Sequence, residues 1–382
     1  MSVSTMPARG MWRHFDRLPV ERLADVVTLG EGDTPLIDLS DTLGRELGIA
    51  GLHLKAEDRN PTGSFKARIA AVAASLVRER GLAGLVGTSS GNGGAAAAAF
   101  AAASGSRAVL FTLADTVPMK LLEITAVGGI AFRVDGVGHD AASTRAVADA
   151  IAAAADANGY YPMLTGFHYA PEAMTGVETI AFELAENRPE LTAVYAPVGG
   201  GGLLTGLHRG FGREAAAGTV DAPRLVGVHP SGATALPLAL AGQTDGMPGP
   251  VTTSISGLQM AVLYDTDGAA AAVRASGGHT TAVSDDEVGE TQAMLARRFG
   301  LLVEPAGATA LAGVRADARD GLLASGDHVA VVLTGAGYKD AAALARLSPL
   351  PAEVPRIGAA DVAAELRRLL GDPLVSEGAP DA

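Results

Sequence analysis

The chain has 382 residues, 48% hydrophobic and 19% charged, which predicts a globular protein of two to three domains rather than a disordered one. Its 42 acidic and 29 basic residues give a net charge of −13, which argues against a basic surface for nucleic acid or anionic membrane. Cysteine is absent, so disulfides, thiolate nucleophiles and cysteine-held metal clusters are excluded.

The first residues, MSVSTMPARGMWRHFDRL, lack the apolar stretch of a signal peptide, and no apolar run is long enough to span a bilayer. The expected compartment is the cytoplasm.

Short apolar runs then alternate with Ala-rich helical ones. Leu52–Glu57 alternates apolar and polar residues, the pattern of a half-buried strand. The run from Phe65 to Arg80 predicts a helix closed by Gly81. Strand Gly84–Thr88, helix Gly93–Ser104, strand Arg107–Thr112, helix Val117–Val127, strand Ile130–Val134 and helix Ala141–Ala157 follow. Helix Pro171–Glu186, strand Ala193–Val198, helix Leu203–Phe211 and strand Arg224–His229 come next. Gln243–Ser256, rich in Gly, Pro and Thr, predicts a long loop. Ser284 and Glu287 fit a capping box opening a helix to Phe299, and His328–Thr334 is a further strand. One amphipathic helix, Ala360–Leu370, lies in the tail. Such alternation predicts an α/β fold with mainly parallel sheets flanked by helices. Ligands then sit where strand C-termini meet helix N-termini.

Four segments at such junctions carry chemistry. In Asn60-Pro-Thr-Gly-Ser-Phe-Lys66, the lysine falls in the first turn of a helix, where the helix dipole disfavours its cationic form. A neutral amine is what a Schiff-base lysine needs. Gly87-Thr88-Ser89-Ser90-Gly91-Asn92-Gly-Gly offers hydroxyls and N–H groups to a carboxylate or other small anion, or else caps a helix. Gly199-Gly200-Gly201-Gly202-Leu203 loses chain entropy for nothing unless backbone must approach a ligand closely, and a phosphate is the natural occupant. Thr334, at a fourth strand end, offers a neutral hydroxyl or lies in a plain turn. Glu304, before Pro305, contacts the site or stabilises a helix start. His168 is a pocket candidate or an ordinary loop histidine. The eight histidines show no H-x-x-x-H spacing, so no metal site is expected.

From about Met11 to Asp340 the chain resembles the fold-type II pyridoxal-phosphate enzymes, most closely the threonine synthase-like group. The resemblance rests on Trp12-Arg13, Gly30-Glu-Gly-Asp-Thr-Pro-Leu36, the string Asn60–Lys66, Ser89–Asn92, Gly199–Leu203, Glu304–Ala308 and Leu333–Asp340. It implies pyridoxal phosphate in Schiff-base linkage to Lys66, with Phe65 packed near the ring. It also implies Asn92 at the ring 3′-oxygen, Gly199–Gly202 and Leu203 on the phosphate, and Thr334 at the ring nitrogen. Thr88, Ser89, Ser90 and Gly91 would bind the substrate carboxylate. Lys66 would be nucleophile and general acid/base. The implied activity is elimination or replacement on a small α-amino acid with a β or γ leaving group, with serine/threonine dehydration or a β-replacement of specialised metabolism as the alternative and non-catalytic amino-acid binding as a different class. The implied architecture is a large cofactor-binding domain (1–51 and 158–348), a small mobile domain (52–157), a C-terminal helix and tail (349–382), and a homodimer. The sequence departs from the group at Ala67, Ala336 and Gly166–Thr179. In that last stretch an arginine and a lysine of many threonine synthases are missing, and Glu178 is added. That predicts a weaker hold on a phosphorylated substrate.

Overall fold

The computed structural model describes residues 9–89, 91–247, 249–348 and 354–370. Among these residues ten strands form two sheets. The larger has the order β1 (Leu36–Asp38), β2 (Gly51–Lys55), β10 (His328–Val332), β7 (Ala193–Pro197), β8 (Arg224–Pro230) and β9 (Thr280–Val283), parallel except for β1 at the edge. The smaller, wholly parallel, has the order β5 (Ile130–Val134), β4 (Arg107–Leu113), β3 (Gly84–Ser89) and β6 (Tyr160–Pro162).

Helices cover both sheets. They are the short α1 (Arg45–Leu47), then α2 (Lys66–Arg80), α3 (Asn92–Ser104), α4 (Pro118–Ala126), α5 (Ala141–Asn158), α6 (Pro171–Asn187) and α7 (Gly202–Ala216). After these come α8 (Ala235–Leu240), α9 (Thr266–Ala275), α10 (Asp285–Phe299), α11 (Pro305–Arg319), α12 (Ala341–Leu347) and α13 (Val362–Leu370). The central strands are buried on both faces. Val194, Ala196, Ala330 and Val332 join one core with α2, α6 and α7, while Ala193, Tyr195, Val329 and Val331 join another with α10 and α11. This is the period-2 division of a covered parallel sheet. The predicted capping box of α10 is present, with Ser284 and Glu287 bonded reciprocally.

Two strands sit differently from the expected partition. Strand β2, expected in the smaller domain, pairs with β1 and β10 in the larger sheet. Strand β6, expected beyond the smaller domain, pairs with β3 in the smaller sheet. Nor is β2 half-buried, since all five of its residues are buried. Its Lys55 is accommodated because its ammonium pairs with Glu183 of α6 and donates to the Thr34 carbonyl at 2.8 Å. The same Glu183 binds Arg68 of α2 at 2.6 Å, and Arg68 binds Glu57 at 2.7 Å, all four charges being essentially unexposed. Buried charges persist only when paired in this way. The Gly30–Leu36 and Trp12 motifs serve this packing. Thr34 donates to Glu57, and the Trp12 indole donates to buried Glu31, both at 2.6 Å.

Candidate active site

The C-terminal ends of β3, β7 and β10 converge on the start of α2. One cavity there is lined by Phe65, Lys66, Asn92, Gly199–Gly202, Leu203, Glu304 and Thr334. An adjoining cavity shares Lys66 and Gly200 and is lined by Thr88, Ser89, Gly93, Met260 and Tyr264 among others. Four segments spread over most of the chain thus meet at one amine.

Lys66 is the first residue of α2. Close packing around its amine pushes its pKa down to about 7, against a smaller upward pull from the Asp265 carboxylate. Burial, rather than the helix end alone, is therefore what favours the neutral amine. Asp265 is itself held by the N–H groups of Phe167 at 2.7 Å and His168 at 3.0 Å.

At the glycine loop, Gly201 has φ +88° as it turns the chain from β7 into α7. A Cβ on Gly199 would lie 2.6 Å from the Gly257 carbonyl, and one on Gly202 would lie 2.7 Å from that of Thr165. Side chains are therefore excluded where the amides open into the cavity, next to the positive end of α7. Asn92 opens α3 and donates its amide to Glu304, leaving its buried Oδ1 without a partner. Glu304 also pairs with Lys120 of α4 at 2.9 Å, both side chains being unexposed. Gly335 passes so close that a Cβ there would collide with Glu304 Oε1. Thr334 is buried and lines the cavity.

In the anion-cradle segment, Ser89 Oγ accepts from the N–H groups of Gly91 at 2.9 Å and Gly94 at 2.7 Å, so it shapes the turn into α3. Its own hydrogen stays available to donate. Thr88 Oγ1 lies 3.0 Å from the Tyr264 hydroxyl. Ser90 lies outside the described residues. His168 lines neither of these cavities. Its ring packs edge-on against Tyr169 at 4.6 Å and faces a separate outer hollow with Arg145, Asp149 and Asp267. Ala173 and Glu178 also lie off the site. Ala173 sits under the Tyr161 hydroxyl, and buried Glu178 is paired with Arg209 at 2.8 Å and Arg213 at 2.9 Å. The added negative charge is thus neutralised within α6 and α7.

Residues 27–335 match the family described as pyridoxal-phosphate dependent enzyme. The chain belongs to that family. Among curated relatives of this pyridoxal-phosphate enzyme, a threonine synthase of Methanocaldococcus jannaschii is 31% identical over 90% of this chain and 84% of its own length. One of Mycobacterium tuberculosis is 33% identical over 89% of this chain and 91% of its own. Among solved structures, a threonine deaminase of T.th. superposes with a TM-score of 0.64 at 31% identity, covering 79% of this chain and 92% of that one. The fold is fold type II, and the chemistry is elimination or replacement on an amino acid.

Tyr264, Asp265, Thr165 and Lys120 were not read from the sequence as site residues. Tyr264 and Asp265 end a long loop with no motif around them, and Lys120 is an ordinary helix lysine until Glu304 faces it.

Proposed function

We propose that Lys66 is the cofactor-bearing and catalytic residue of an enzyme that expels a β or γ substituent from a small α-amino acid. The observation that carries this reading is the meeting of Lys66, Asn92, Thr334 and the four-glycine loop in one cavity. The residues present fit pyridoxal phosphate: an amine with a lowered pKa, a buried amide oxygen without a partner, and a loop in which side chains are excluded. In this reading the N–H groups of Gly199–Gly202, with Leu203, hold the phosphate. Asn92 faces the ring oxygen, Thr334 the ring nitrogen, and Phe65 packs beside the ring. When bound, pyridoxal phosphate withdraws electrons from the substrate α-carbon.

The protein does the rest. Thr88, Ser89, Ser90 and Gly91 hold the substrate carboxylate and so orient the α-hydrogen. The Lys66 amine takes that proton and later returns one, and an amine with a pKa near 7 serves both steps at neutral pH. Tyr264 and Met260 line the adjoining cavity.

A second reading is favoured by the charges. Apart from Lys66, no cation lines the two cavities among the described residues, and nearby Lys120 is already paired with Glu304. A dianionic leaving group lacks a free partner there. This supports dehydration of a hydroxyl amino acid, whereas the similarity to threonine synthases supports a phosphorylated substrate. The deciding assay sets ammonia and 2-oxobutyrate release from threonine against phosphate release from O-phosphohomoserine. Activity on the first alone establishes the dehydratase, and activity on the second alone establishes the synthase. The homodimer belongs to the same proposal, supported by the family resemblance, and light scattering tests it. No helix among the described residues is long and apolar enough to cross a membrane.

A further inference from the structure

At the opposite end of the large sheet from Lys66, strands β2 and β10 run parallel with Gly51 paired to His328 and His53 to Ala330. Residues two apart share a face, so His53 and His328 project to the same side as diagonal neighbours. His53 is 4% exposed, yet its Nε2 has no hydrogen-bond partner, and neither has His328 Nδ1. Leaving two buried ring nitrogens unsatisfied is costly and calls for an explanation. Between them the strand carries Gly51. A Cβ there would lie 2.5 Å from His328 Nδ1 and 3.1 Å from His53 Nε2. Exposed Glu190, in the loop before β7, completes the group, and one ligand atom from each of the three residues lies within 4.8 Å of the others.

We propose that His53, His328 and Glu190 bind a divalent transition-metal cation of the zinc class, with water in the fourth position. Two imidazoles and a carboxylate are a recurrent donor set for such ions, with bonds of about 2.0–2.2 Å. At the other nitrogen of His53, the Arg188 Nε–H donates to Nδ1 at 3.5 Å and the Asp38 carboxylate lies 3.7 Å away. Metal on Nε2 requires the proton on Nδ1, so Arg188 must release that nitrogen. Arg188 retains Asp38, at 3.4 Å, as its own partner. The site ties the N-terminal ends of β2 and β10 to the entry of β7. It is remote in the sheet from the strand ends that converge on Lys66, so it staples the scaffold and takes no part in the reaction.

The test uses tag-free, metal-free holoenzyme. Titration with Co2+ should give the intense visible bands of a tetrahedral ion at one per chain, and Zn2+ competing with a chromophoric chelator should bind with micromolar or tighter affinity. His328→Ala and Glu190→Gln should each weaken Zn2+ at least about tenfold while leaving the cofactor absorption band unchanged. Saturating Zn2+ should raise the thermal midpoint of the unmodified protein and not of Glu190→Gln. Glu190 is on the surface, so that variant decides the matter even if His328→Ala does not fold. Zn2+ affinity in the millimolar range, or affinity unaltered by Glu190→Gln, would overturn the proposal.

Discussion

At the scale of single residues, the amine of Lys66 decides most. Its pKa near 7, set by burial, means that the free amine accumulates as pH rises through 7 instead of near 10. In the apoprotein, acylation of Lys66 followed by peptide mass spectrometry should therefore reach half its plateau near pH 7. A midpoint near 10 would show that burial does not act on this amine. Lys66→Ala should abolish the visible cofactor band and lower turnover by about 10²–10⁴-fold or more. Gly335→Ala should be nearly as harmful to cofactor binding, because its Cβ would displace the Glu304 carboxylate that holds Asn92. Equilibrium dialysis of pyridoxal phosphate measures that loss. Lys66, Asn92 and the glycine loop were legible because each sits in a local string at a strand-to-helix junction. Tyr264 and Asp265 were not, because their roles depend on Thr88 and on the 167–168 amides, which are distant in sequence.

At the scale of elements, helix α4 is fastened by two ion pairs of opposite sense. Its Lys120 meets Glu304 at the start of α11, and its Glu123 meets Lys339, beyond β10, at 2.7 Å. The smaller sheet's helix is thereby held against elements of the larger sheet. Lys120→Met leaves Glu304 buried without its cation and should cost about 3 kcal/mol in urea unfolding. Lys120→Met with Glu304→Gln should recover most of that loss, and a cost that simply adds would deny the pairing. The second feature at this scale is the Arg68 network. Burial raises the Glu183 pKa, but Arg68 and Lys55 outweigh it, so the carboxylate stays ionised below its usual range. A carboxylate with a lowered folded pKa contributes stability above the unfolded value, about 4.3, and loses it as pH falls toward the folded one. Acid unfolding monitored by circular dichroism should therefore set in below about pH 4, and Arg68→Met should move its onset upward. Charged Lys55 made β2 look half-buried in the sequence because its partner Glu183 comes from a distant helix. The helices were legible by contrast because alanine runs and closing glycines are local signals, as at Gly81 and Gly105.

At the scale of the whole molecule, the chain passes between its two mainly parallel sheets more than once. The expected partition into contiguous blocks missed β2 and β6 because a strand's sheet is set by pairing register, which no local run of residues records. The three-residue β6 also carries too little pattern to be read alone. Residues 354–370 stand apart. They end in α13, none of whose residues is buried, and its Arg368–Glu365 pair lies within the helix. Deleting everything after Ser348 should therefore leave the cofactor band and the urea midpoint of the remaining protein unchanged. A lowered midpoint would mean that this segment braces the body.

The seating of Trp12 has an optical consequence. It is the sole tryptophan of the chain, 1% exposed, with its indole N–H committed to Glu31. The native protein should emit at short wavelength and resist quenching by acrylamide. Release of the Met11–Arg17 segment from the body would expose that one ring and redden the emission. The chain thus carries a built-in fluorescent gauge of whether its first turns are docked, readable without a label.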